Sequence, residues 1–246
     1  MNHINRKPRD HAPYLVHLIT ALGVIPAALA MREITRPECD ARWVFAYLLL
    51  ATLIDAVDGP LARRFEVKRR APKIDGRTID DLLDYLTFAF IPLMLVWRMQ
   101  WLPENWGWLV ILAMGASLFG FSHQGAKEEA HGFFRGFPSY WNIFAFYAGI
   151  LHGFAGPWPV ALLLVVLSVL TVAPVMFIYP NLAPAKHRGW LLGGAFIWVL
   201  TMLPLLVEYS QPRGWLVILS LIYPLAYTIA SFVLGARIVR TQNPST

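Results

Sequence analysis

Apolar residues in this chain fall in long runs separated by short polar stretches, and the runs approach the roughly 20 residues an α-helix needs to cross a bilayer. Such runs lie near residues 13–31, 42–62, 79–99, 107–124, 138–155, 158–179, 190–208 and 214–236. The pattern predicts an all-α integral membrane protein of about eight transmembrane helices, a single polytopic domain over residues 1–246. An even number of spans puts both termini on one side. That side would carry sixteen of the 21 Lys and Arg, seven of them between Arg63 and Arg77, and the other side only Arg32, Arg36, Arg42, Arg98 and Arg213. Cytoplasmic loops are the ones enriched in Lys and Arg, so both termini are expected in the cytoplasm. Trp97, Trp101, Trp106 and Trp108 cluster around the loop after the third run, and Trp158, Trp190 and Trp215 fall near other run ends, as interfacial aromatics do.

Composition agrees with the pattern. Hydrophobic residues make up 57% and charged residues 15%, against about 25% charged in soluble domains. The net charge of +6 comes from loops between apolar runs, so it reads as membrane topology and not as a nucleic-acid surface. Cys39 is the single cysteine, which excludes an intrachain disulfide. The first run has a basic start, and Ala28-Leu29-Ala30 has the outline of a signal-peptide cleavage site. Cleavage is not expected, because the run is long and the second helix would lose its neighbour.

One stretch breaks the pattern. Residues 55–84, DAVDGPLARRFEVKRRAPKIDGRTIDDLLD, place acids at or inside the expected bilayer boundary, where each costs several kcal/mol unless partnered. Asp55 and Asp58 are three apart and Asp80 and Asp84 four apart, so each pair projects from one helix face. Facing helices would converge four carboxylates. Hard divalent cations such as Mg²⁺ or Mn²⁺ favour such all-oxygen sets, and a two-metal phosphoryl-transfer centre is the leading reading. Salt bridges to Arg63, Arg64, Lys68, Arg69 or Arg70 are the structural alternative. Pro60, near the end of the second run, is expected to open the last helical turn.

Asp55, Asp58, Gly59, Ala62 and Arg63, followed by Gly76, Asp80 and Asp84, resemble the D-x2-D-G-x2-A-R…G-x3-D-x3-D signature of the CDP-alcohol phosphotransferase family. The spacer between Arg63 and Gly76 holds twelve residues, longer than the family's usual one. With the larger number of apparent spans, this is similar to the bacterial phosphatidylcholine synthase branch. The resemblance implies an active site at the cytoplasmic ends of the second and third helices. It implies Asp55, Asp58 and Asp80 as metal ligands and Asp84 as the base, also touching metal. Gly59, Ala62 and Gly76 would let a cytidine nucleotide approach the backbone, with Arg63 on a phosphate. Thr20, in a stretch that resembles the family's Pro-Asn-x-x-Thr, would contact the nucleotide or bond back to a helix carbonyl. Asp81, one residue off the metal face, would meet the cytosine amino group or a loop cation.

The loop at 122–142 carries Phe-x-Gly-x-Pro-Ser, which resembles phosphatidylserine synthases of the same superfamily. Lys127 and Arg135 are candidates for the diphosphate or a headgroup. A quaternary ammonium is recognised by aromatic faces and nearby acids, which makes Tyr85, Glu128, Glu129, Tyr140 and Trp141 choline candidates; His123, His131 and His187 read as ordinary loop residues. The branch implies transfer of a phosphatidyl group from CDP-diacylglycerol to choline with release of CMP, two divalent metal ions with Mn²⁺ favoured, and a bacterial inner membrane. Another acceptor alcohol (serine, glycerol phosphate or an inositol phosphate) and, from a different class, a cation transporter stay open. Gly149 and Gly153 form a GxxxG, and with the family's habit this keeps a homodimer in view. The terminal TQNPST is expected to be disordered.

Overall fold

The structure is a computed structural model and describes residues 11–122, 127–128, 132–180, 183 and 185–242. Its helices are α1 (Ala12–Leu22), α2 (Val24–Thr35), α3 (Ala41–Arg64), α4 (Val67–Arg70), α5 (Gly76–Asp84), α6 (Ile91–Arg98), α7 (Leu109–Ser122), α8 (Trp141–Ala155), α9 (Pro157–Val172), α10 (Ala185–Val207) and α11 (Gly214–Gln242). Strands β1 (Lys127–Glu128), β2 (Phe133–Arg135) and β3 (Met176–Ile178) form a small antiparallel sheet in that order. Among the described residues, four helical segments are long and apolar enough to cross a membrane: Ala12–Thr35, Ala41–Arg64, His187–Val207 and Gly214–Ala236. This is a predominantly helical membrane protein.

Three of the predicted runs take forms that hydropathy does not distinguish. The third run is one rod in three pieces, because α5 passes through a π-helical stretch, Tyr85–Phe90, into α6. Pro92, just inside α6, has no N–H to give to the preceding turn and its ring crowds that turn's carbonyl. A widened turn before it is the physical result. The sixth run was expected to continue to residue 179, but α9 stops at Val172. Pro174 cannot continue a helix, and the apolar residues beyond it form β3, whose Met176, Phe177 and Ile178 are all buried. The fourth run becomes the fourteen-residue α7, short for a span.

Inside the second run, α3 carries Pro60 within the helix and continues to Arg64, so the proline removes one bond without ending it. Asp40 caps α3 by accepting from the N–H of Arg42 at 2.9 Å, and the Arg42 guanidinium grips the same carboxylate. That pairing holds the Asp40 carboxyl below its ordinary range. The main core joins α2, α3, α6, α8 and the ends of α7 and α9 through Val44, Leu48, Leu93, Val96, Trp141 and Leu164. Gly149 lies there too: a Cβ on it would meet the Tyr209 hydroxyl and Trp101. One glycine of the GxxxG pair is therefore used for packing inside the chain, while Gly153 has open space.

Candidate active site

Residues of α1, α3 and α5 line the same two adjoining spaces. One carboxylate oxygen from each of Asp55, Asp80 and Asp84 can lie within 4.8 Å of the other two. Such a set of hard oxygen donors, drawn from two helices, fits a divalent cation. Asp58 stands beside this group: all four aspartates line a narrow cleft with Thr20, Gly23 and Thr87. Asp58 is 7% exposed; the Gly59 N–H donates to it and the Thr20 hydroxyl lies in bonding reach. The other bond of Thr20, to the Val16 carbonyl, is 3.3 Å long, stretched for an O–H···O contact, so the hydroxyl can turn to Asp58.

The cleft opens into a cavity of about 590 Å³ lined by Thr20, Asp58, Gly59, Ala62, Gly76 and Asp80 together with His17, Lys68 and Arg77. Arg63 does not line it but folds beside Gly59, with Nη1 3.6 Å from where a Cβ on that glycine would be. Asp81 lies outside both spaces and pairs with Arg77, Nε to Oδ2 at 3.6 Å. Asp75 caps α5 by accepting from the Arg77 N–H at 3.1 Å and the Thr78 hydroxyl at 2.8 Å. The hydroxyl first, then the backbone N–H groups, hold its carboxyl below the ordinary range.

The headgroup candidates scatter. Tyr85 donates to the Met114 carbonyl at 3.3 Å and meets Phe121 edge to face. Trp141 is fully buried and donates to the Ser117 hydroxyl at 2.6 Å, leaving no face for a ligand. Arg135 is exposed on β2. Glu129, His123 and His131 and the side chains of Lys127 and Glu128 lie outside the described residues, as does the TQNPST tail beyond Gln242. Tyr140 differs, because it borders two apolar cavities and its ring lies 6.4 Å from that of Phe88.

With this geometry in hand, comparison with known proteins is informative. No protein-family model matches the chain. It is 34% identical to a phosphatidylcholine synthase of Pseudomonas aeruginosa over 209 residues, 84% of each chain. It is 32% identical to one from Legionella pneumophila over 230 residues, 90% of this chain and 88% of the relative. The match to one from Rhizobium johnstonii is 31% over 212 residues, 85% and 84% respectively. The chain belongs to the bacterial phosphatidylcholine synthase family.

This phosphatidylcholine synthase family member places in its cavity three side chains to which the sequence reading assigned no binding role. His17 is 7% exposed, and its Nε2 is buried without a hydrogen-bond partner. Its ring lies over Gly76, where a Cβ would come within 2.7 Å of Cε1. Lys68 reaches the cavity because the long spacer folds into α4, whose Val67, with Ala71 just beyond, packs on Val16 of α1. The signal for that was present: Val67 and Ala71 are apolar residues four apart in an otherwise charged segment, one helical face. Arg77 carries no such signal, since any of the seven loop cations could have been turned inward.

Proposed function

We propose that this chain is an integral membrane transferase that moves the phosphatidyl group from CDP-diacylglycerol to choline and releases CMP. The observation that carries the reading is the junction of a three-carboxylate group with a cavity walled by Gly59, Ala62 and Gly76. The names of its relatives supply the product. Choline's hydroxyl gives its proton to Asp84 and its oxygen bonds to the phosphorus that bears diacylglycerol. The bond from that phosphorus to the bridging oxygen breaks, and CMP leaves with the electron pair.

Asp55, Asp80 and Asp84, with Asp58 beside them, would hold two divalent metal ions, Mn²⁺ favoured over Mg²⁺, which neutralise the diphosphate when bound. Gly59, Ala62 and Gly76 admit the nucleotide to backbone contact, Thr20 orients Asp58, and Lys68, Arg77 and Arg63 balance phosphate charge. Asp81 holds Arg77 in position. The chain crosses a bacterial inner membrane about eight times, with the active site and both termini cytoplasmic. Acyl chains then stay in the bilayer while the nucleotide faces water.

The test is CMP release by the detergent-purified protein given CDP-diacylglycerol and Mn²⁺, with choline, serine, glycerol phosphate or inositol phosphate as acceptor and Asp84→Asn beside it. Choline-dependent release that is lost in the variant is the expected result. Release with a different alcohol would remove choline and keep the chemistry; folded protein that releases no CMP with any of these acceptors would sink the transferase reading.

A further inference from the structure

An aromatic cavity of about 360 Å³ lies among α8, α9, α10 and α11, and the described residues that line it include no Lys, Arg, Asp or Glu. Three rings, Trp198, Tyr223 and Tyr227, run along one part of it in near-parallel order, with centroids 6.0 and 6.5 Å apart and planes within 30°. Phe137 and Tyr140, edge to face at 6.3 Å, add the turn before α8. The polar ends of the row are committed elsewhere. Tyr223 donates to the Leu191 carbonyl at 2.8 Å, Tyr227 to the Ile178 carbonyl at 2.7 Å, and the Trp198 N–H to the Tyr147 hydroxyl at 3.1 Å. Tyr147 in turn donates to the Ser220 carbonyl at 3.1 Å.

These bonds decide what the cavity can hold. Aromatic ring faces carry negative quadrupole potential, and the polar hydrogens of Trp198, Tyr223, Tyr227 and Tyr147 are spent on the protein. A cation without N–H groups suits such a lining better than a phosphate or a carboxylate does. The cavity is linked to the acids through Tyr140, which lies 6.4 Å, ring to ring, from Phe88, and Phe88 follows Asp84 by four residues on the same rod. Choline's oxygen and nitrogen are separated by only an ethylene unit, so its hydroxyl can face Asp84 while its methyl groups enter the aromatic lining at Tyr140.

We infer that the cavity bounded by Tyr140, Trp198, Tyr223 and Tyr227 is the binding site for the quaternary ammonium of the acceptor. The inference rests on the transferase reading above and gives it a specificity site. None of Trp198, Tyr223 and Tyr227 belongs to the signature, and none touches the metal-binding carboxylates in the cleft. Their contribution is to discriminate a permanent cation from anionic acceptors, which would leave their charge unpaired there.

The experiment measures CMP release against choline and against CDP-diacylglycerol separately, for Trp198→Leu, Tyr227→Leu and Tyr227→Phe. Losing a cation–π face raises the KM for choline about five- to thirtyfold in the leucine variants, leaves the KM for the donor unchanged, and does little in Tyr227→Phe. In the unaltered protein, tetramethylammonium competes with choline and not with the donor, and 3,3-dimethylbutan-1-ol, the uncharged isostere, is a much poorer acceptor. An isostere as good as choline overturns the site even if the leucine variants fail to fold. So does an unchanged choline KM combined with a new dependence on donor chain length, which would assign the cavity to an acyl chain. If release by the unaltered protein does not depend on choline at all, the transferase reading itself fails, and the two failures are told apart.

Discussion

Replacing Gly76 with alanine would put a methyl group 2.7 Å from Cε1 and 2.8 Å from Nδ1 of His17. Carbon contacts are optimal near 3.5–4.0 Å, so ring or helix must give way by about 1 Å. His17 is 7% exposed, and the direction left open to its ring is into the cavity it lines with Gly59 and Ala62. Overpacking of this kind costs about 1–3 kcal/mol, and the helical preference of alanine over glycine returns at most about 1 kcal/mol. The net expectation is about 1–2 kcal/mol, read as a lower melting temperature and, if all of it falls on the ring entering the cavity, as an affinity for CMP weaker by at most about five- to thirtyfold. The assay is a CMP titration by calorimetry on detergent-purified Gly76→Ala, His17→Ala and the double variant, with thermal unfolding of each. In the double variant the methyl has space, so the cycle should show a coupling of about 0.5–3 kcal/mol. Effects that add within about 0.5 kcal/mol, or a Gly76→Ala protein that matches the parent in both melting and CMP binding, would refute the packing argument.

Other expectations follow from single contacts. Asp84→Asn should lower turnover about 10²–10⁴-fold, the usual range for a lost general base, with CMP binding retained; chelation by EDTA should abolish release and added Mn²⁺ restore it. Ser117→Ala would leave the Trp141 indole N–H without its 2.6 Å acceptor in the fully buried core, lowering unfolding stability by about 1–3 kcal/mol while catalytic constants stay unchanged. Because the Asp75 carboxyl sits below its ordinary range, its stabilising contribution is complete above the unfolded value near 3.9 and is lost as pH falls through the lower folded value. Asp75→Asn keeps a good cap, so it should melt like the parent at neutral pH and show a flatter decline below about pH 4. Glu33, 6% exposed, accepts from the Asp40 N–H at 3.1 Å and the Arg36 guanidinium at 3.0 Å. Glu33→Leu should therefore destabilise the α2–α3 turn, visible as faster proteolysis there.

Much of this molecule could be read from sequence because two kinds of signal are local. Apolar runs at 42–62 and 214–236 fix long helices by length alone, and the offsets among Asp55, Asp58, Asp80 and Asp84 fix a shared face once those helices exist. The rest depends on which segments meet. Hydropathy could not separate β3 from the helix before it, since Met176, Phe177 and Ile178 are as apolar as α9 and only Pro174 marks the change. His17 looked like one more residue of an apolar run; its role arises from Gly76, almost sixty positions away in sequence and in contact only after folding. The aromatic row of Trp198, Tyr223 and Tyr227 likewise joins two helices whose rings, taken singly, read as ordinary membrane residues. Trp141 was misleading for the opposite reason: its neighbour Tyr140 borders open space, while its own indole is sealed against Ser117.

The π-helical stretch at Tyr85–Phe90 has a bearing on how this scaffold can vary. A π turn is an α-helix with one additional residue, and each α-helical residue advances the face by about 100°. The stretch therefore acts as a phase adjuster in a single rod, letting α5 aim Asp80 and Asp84 at α3 while α6 aims Leu93 and Val96 into the core. The carboxylate face and the packing face are dialled independently on either side of it. Winding this stretch back into a regular α-helix without removing a residue would rotate the two aspartates by about 100° relative to the packed end, dispersing the acidic group without touching any residue in it, whereas deleting one residue together with the π turn would keep the two faces in register.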